Sequence, residues 1–152
     1  MKIVVDTNIA FSAILNTESK IGDLLMNSEG LLEFHACQYL RLEIHKHRER
    51  LMDISGLTED EFEEARNHIF SRLKFHSEEI IPFHFWQEAL LLVRDVDVDD
   101  IAFVTLNNYL AADLWTGDKL LLNHLHHQKG YSKCFTTAEL FEVRERLRLE
   151  TQ

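Results

Sequence analysis

The fold is decided by KIVVDTNIAF, residues 2–11, and by the way ADLWTGDKLL, residues 112–121, answers it much later in the chain. In the first stretch Ile3, Val4 and Val5 form an unbroken β-favouring apolar run, the pattern of a strand buried on both faces. It stops on Asp6, Thr7 and Asn8. Asp and Asn serve well as turn and helix-cap residues, so a purely local role is one reading. The other is that Asp6 stands at the carboxyl end of a central strand, where open α/β sheets bind ligands. The second stretch repeats the arrangement: a short strand, DLWT, runs into Gly117 and Asp118. In a parallel sheet with these two strands as neighbours, both carboxylates lie on the same edge.

Apolar periodicity between and around these stretches predicts alternating strands and helices. Strands are expected over 2–6, 31–36, 78–83, 113–116 and 133–137. Helices are expected over about 8–15, 19–28, 38–53, 58–75, 85–96, 99–111 and 119–128, with a closing helix begun by Thr136 and Glu139 at capping-box spacing. Thr58 and Glu61 make the same pattern, and Gly30 fits a helix end. The alternation predicts an α/β domain of three layers, α/β/α, around a central, mostly parallel sheet. With 152 residues and no repeat, low-complexity run or linker, a single domain over 1–152 is the expectation.

Composition narrows the function. The formal charge of −10 argues against nucleic-acid binding through a broad basic surface, because phosphate neutralisation needs Lys and Arg. It leaves room for an acidic metal site that meets phosphate through bound cations, and for a basic partner protein. No apolar run approaches the roughly 20 residues of a membrane span, and the opening has no signal-peptide layout, so a cytoplasmic location is expected. Cys37 and Cys134 form no paired motif and are expected as reduced, buried thiols. No G-x-x-x-x-G-K-[ST] loop, G-x-S-x-G elbow or G-x-G-x-x-G turn is present to support an NTPase, serine hydrolase or dinucleotide enzyme. Among the histidines, His45 and His47 are two apart on an expected helix and diverge, unlike i, i+4 zinc ligands.

Four acidic positions remain conspicuous: Asp6, Glu43 within a helix, the DVDVDD run at 95–100, and Asp118. Like charges repel, so clustering them is costly unless a divalent cation fills the gap. Mg²⁺ and Mn²⁺ are hard ions that prefer oxygen ligands and can activate water. Such a centre suits phosphodiester hydrolysis.

The stretches VVDTNIAFSAIL (4–15), LEIHKH (42–47), DVDDIAFVTL (97–106) and ADLWTGDKLL (112–121) together resemble the PIN domain, the metal-dependent ribonuclease fold of many VapC-type toxins. They follow the family's order and span nearly the whole chain. Position by position, the resemblance implies Asp6, Glu43, Asp100 and Asp118 as the acidic quartet, with metal held by Asp6, Asp100 and Asp118. Asp100 is chosen over Asp99 because it stands three residues before an apolar helical residue, Phe103. Asp97 and Asp99 are accessory acids, and Thr7, Asn8 and Thr116 match polar positions that orient the acids. The resemblance further implies Mg²⁺ or Mn²⁺, an RNA substrate, homodimerisation and an antitoxin partner. Lys46, Arg48, Arg50 and Lys119 are candidates for contact with RNA phosphate. Two alternatives stay open: a metal-dependent phosphatase or phospho-acceptor that uses Asp6 as nucleophile, and a catalytically silent binding module.

Overall fold

The computed structural model describes residues 1–152 and contains one sheet of five parallel strands. These are β1 (Lys2–Val5), β2 (Glu33–Cys37), β3 (Leu73–His76), β4 (Asp113–Trp115) and β5 (Cys134–Phe135), in the spatial order β3-β2-β1-β4-β5. The chain thus builds outward from β1 to β3 on one side, then crosses back to lay β4 and β5 on the other. The strand order reverses at β1, whose Val4 and Val5 pair with Leu114 and Trp115 of β4. The residues that follow β1 and β4 are therefore neighbours at the switch point, where a crevice opens beyond the strand ends.

Nine α-helices cover the sheet: α1 (Thr7–Leu15), α2 (Lys20–Met26), α3 (Gln38–Lys46), α4 (Arg48–Ser55), α5 (Glu59–Phe70), α6 (Phe83–Val93), α7 (Ile101–Leu110), α8 (Lys119–Asn123) and α9 (Thr137–Glu150). Side chains alternate across β1, so Ile3 and Val5 enter one core and Val4 the other. The first core joins them to Ile9, Leu24, Leu40, Phe62, Trp115 and Leu140, from α1, α2, α3, α5, β4 and α9. The second joins Val4 to Val93, Phe103, Leu106, Leu114 and Leu121, from α6, α7, β4 and α8. The result is the expected three-layer α/β/α architecture. No helix is long and apolar enough to cross a membrane. Cys37 and Cys134 are buried and free, and burial pushes both thiols up, Cys134 to about 12.

Five elements differ from the sequence reading. The helix expected over 58–75 ends at Phe70, and Leu73–His76 is the third strand. Leu73 and Phe75 alternate with Lys74 and His76, but only pairing with Phe34 through Cys37 of β2 makes that short alternation a strand. The strand expected over 78–83 is a 3-10 turn, Glu78–Ile80, stabilised by the Glu79 N–H donating to Ser77 Oγ. Pro82, which has no N–H to give a sheet, precedes α6 instead. The helix expected over 38–53 breaks at His47, whose ring meets Phe11 edge-on at 5.9 Å. This break lets α3 and α4 both pack on α1. The helix expected from 99 begins as a 3-10 turn over Val98–Asp100, and that expected over 119–128 widens into a π turn after Asn123.

Candidate acidic active site

Asp6 ends β1 and begins α1. Its backbone N–H donates to Trp115 O of β4 (3.3 Å), which ties it to the switch point. Its Oδ1 accepts from Ile9 N–H (3.0 Å), so the side chain caps α1. The local cap reading is thus correct, and it does not compete with a site: the cap fixes the carboxyl in place. Asp118 does the same after β4, its Oδ1 accepting from Leu120 N–H (3.0 Å) and Leu121 N–H (3.2 Å) of α8. Thr116 sits between the two acids. Its hydroxyl accepts from Asp118 N–H (3.0 Å) and lies against the Asp6 carboxyl, where it favours the charged form.

Asp100 arrives at the start of α7, in the layer opposite α1. Asp97 caps the 3-10 turn by accepting from Asp99 N–H at 2.9 Å, and the turn delivers Asp100 to the start of α7. One oxygen of Asp100, Oδ2, is buried and has no hydrogen-bond partner. Burial pushes the Asp100 carboxyl up to about 7, reinforced by the charges of Asp97, Asp118, Asp6 and Asp99 in that order. Burial likewise pushes Asp6 up to about 6, against the hydrogen bonds of Thr116 and Ile9 and with the charge of Asp118 adding to the rise. Asp6, Asp100 and Asp118 therefore sense one another across one crevice, although they come from three separate segments.

Glu43 reaches the same edge indirectly. The Thr7 hydroxyl donates to Glu43 Oε1 at 2.6 Å, so the first residue of α1 holds the acid of α3. Glu43 is not among the charges that raise Asp6 or Asp100; the groups that feel it are Tyr39 and Cys37. Tyr39 was not anticipated. Its hydroxyl is pushed up first by Glu43, then by burial and by Asp99, so this residue of α3 feels both Glu43 and the 97–100 turn. Its position immediately beyond β2, on the carboxyl edge, is the signal that could have found it.

The remaining expected residues spread outward. Asn8 is exposed, and its backbone N–H, rather than its side chain, bonds to Asp6. Asp97 and Asp99 are exposed at the rim. The basic run that the sequence placed on one helix straddles the break at His47: Lys46 ends α3, while Arg48 and Arg50 belong to α4. Arg48 is already paired with Glu59 of α5, whereas Lys46, Arg50 and Lys119 have no carboxylate partner. Within the segment after α8, His124 Nε2 meets Leu92 O at 3.1 Å, and His126 Nε2 meets Cys134 O at 3.2 Å.

No three His, Cys, Asp or Glu side chains close into a ready-made ligand cage. The donor set still fits a hard divalent cation. A buried carboxylate oxygen without a partner is a costly feature that a cation relieves. Mg²⁺ keeps several waters and takes one or two carboxylates directly, so an open cluster suits it better than a closed cage.

The PIN domain family profile matches residues 4–133. Among solved structures, a chain of the VapBC2 complex from Rickettsia felis, crystallised with a DNA fragment from its promoter, aligns with a TM-score of 0.61. The alignment covers 90% of this chain and 97% of that one at 13% identity, which establishes a shared fold. No curated protein matches the chain significantly.

Proposed function

The chain belongs to the PIN domain family, whose members are generally nucleases, and on that premise we propose that it is a metal-dependent endoribonuclease acting through Asp6, Asp100, Asp118 and Glu43. The observation that carries this reading is the convergence of three carboxylates at the switch point, one of them with a buried, unpartnered oxygen. Asp6, Asp100 and Asp118 would hold Mg²⁺ or Mn²⁺. When bound, such an ion neutralises phosphate charge and lowers the pKa of water.

The protein's own part is positioning and proton transfer. The α1 and α8 caps fix Asp6 and Asp118, and Thr116 braces both. Thr7 occupies Oε1 of Glu43 and leaves Oε2 to accept a proton from the attacking water. The water oxygen forms a bond to phosphorus, the phosphorus–oxygen bond to the leaving ribose breaks, and that oxygen takes a proton from solvent. Of the four basic residues expected to contact RNA, Lys46, Arg50 and Lys119 are free to meet flanking phosphates, a small basic set on a chain of charge −10. The shared fold with a chain of a VapBC2 complex supports a place as the toxin of a toxin–antitoxin pair; a homodimer as the working unit is what the family resemblance implies.

The test is cleavage of a pool of RNAs with Mn²⁺ and with EDTA, using Asp6→Asn as the control. Metal-dependent internal cleavage by the wild type alone supports the proposal. Equal cleavage by the variant removes Asp6 from the mechanism. A phosphorylated Asp6 without RNA cleavage favours the phosphatase alternative.

A further inference from the structure

A cleft of about 430 Å³ lies between the start of α8 and the start of α9 and shares Thr116 and Asp118 with the acid cluster. Its volume falls within the roughly 300–1,000 Å³ of small-molecule sites. We propose that this cleft is a nucleobase subsite that receives one unstacked base of the substrate strand, adenine by preference, beside the phosphate presented to Asp118. The inference rests on the nuclease reading and adds the feature that selects where the strand is cut.

Four properties point to a base. The exposed wall is mostly carbon, with Leu122 and Ala138 contributing to it, which suits a flat ring. Asn123 lies at the cleft with its side-chain amide unbonded, offering a donor and an acceptor side by side. That pair matches the adjacent N6 donor and N7 acceptor of adenine. Lys119 stands there with no carboxylate partner, so it can meet the phosphate attached to the bound nucleotide. Asp118 is the only acid among the lining residues. A second cleft between the α1–α2 turn and α5, about 580 Å³, is lined instead by Glu18, Asp23, Glu61 and Glu64 and repels a polyanion. The cleft is not an anion pocket at a helix end, because Thr136 and Glu139 close the α9 N-terminus with a reciprocal capping box.

Binding separates this inference from the nuclease reading. Fluorescein-labelled tetra-adenylate and tetra-uridylate are titrated by anisotropy against the full chain in EDTA, alongside Asn123→Ala and Ala138→Phe. Both positions are exposed, and melting temperatures verify that the variants fold. We expect tetra-adenylate to bind about 10-fold tighter than tetra-uridylate, with the ratio falling to near one in Asn123→Ala. Ala138→Phe, which fills the cleft, weakens both ligands. Equal affinity for the two in the wild type, or a preference unchanged in both variants, overturns the subsite. Mn²⁺-dependent cleavage of the RNA pool by the wild type is scored separately. Cleavage without the binding pattern sinks the subsite alone, whereas the binding pattern without cleavage sinks the nuclease reading and leaves a base-binding cleft.

Discussion

Replacing Asp6 by asparagine should stabilise the metal-free protein at neutral and alkaline pH while removing its response to Mn²⁺. Burial raises the Asp6 carboxyl from 3.8 to about 6, so the folded state prefers the protonated form. Between those two values the folded chain binds more protons than the unfolded chain, and stability falls as pH rises. The contribution is fully present below pH 3.8 and is lost as pH passes through about 6. Converted at about 1.36 kcal/mol per pH unit, the ionised Asp6 costs about 3 kcal/mol at pH 8. Asparagine carries no charge and can still accept the Ile9 N–H, but it gives up the charge-assisted share of the Ile9 and Thr116 hydrogen bonds. A net gain of about 1–3 kcal/mol remains, which is several degrees of melting temperature for a chain of this size. The assay is thermal unfolding by circular dichroism at pH 4 and pH 8, in EDTA and with MnCl₂. At pH 4 wild type and variant should melt together; at pH 8 in EDTA the variant should melt higher. Saturation at about 100 times Kd should add about 2.7 kcal/mol to the wild type and much less to the variant. A variant that melts no higher than wild type at pH 8, or a difference independent of pH, refutes the claim that Asp6 is held at an electrostatic cost.

Two further substitutions probe the supports. Thr7→Val keeps the shape of a buried residue and removes the hydroxyl that holds Glu43; RNA cleavage should fall about 10- to 100-fold, and an unchanged rate would show that Glu43 needs no such brace. Gly22→Ala would place a Cβ 2.1 Å from the Thr17 carbonyl oxygen, where backbone rather than a yielding side chain must move. It should cost about 1–3 kcal/mol by urea unfolding, and a midpoint within error of wild type would show that the α1–α2 turn gives way freely.

Both central strands and the caps beyond them were legible because their signals are local and continuous. Val4, Val5, Leu114 and Trp115 announce burial, and an aspartate after each run is both cap and candidate ligand. The capping boxes at Thr58 and Thr136 form as their spacing indicates, since each joins groups only three residues apart. β3 was not legible. Leu73–His76 has too few residues to declare a period, and its identity depends on β2, about forty residues earlier. The break at His47 likewise answers to α1, which both halves must cover.

The sequence by itself determined which chemistry was on offer: a set of acids at element ends, a modest set of basic residues, and the order in which they occur. Only the tertiary structure decided which of them meet. Asp6 and Asp118 are joined by the parallel pairing of β1 with β4, and Asp100 is brought to them by the turn that starts α7. Glu43 is tied in through Thr7, while Arg48 is claimed by Glu59. Helix caps act over three or four residues and can be read from one stretch of chain, but electrostatic repulsion and the burial of an unpartnered oxygen exist only once distant segments share a crevice.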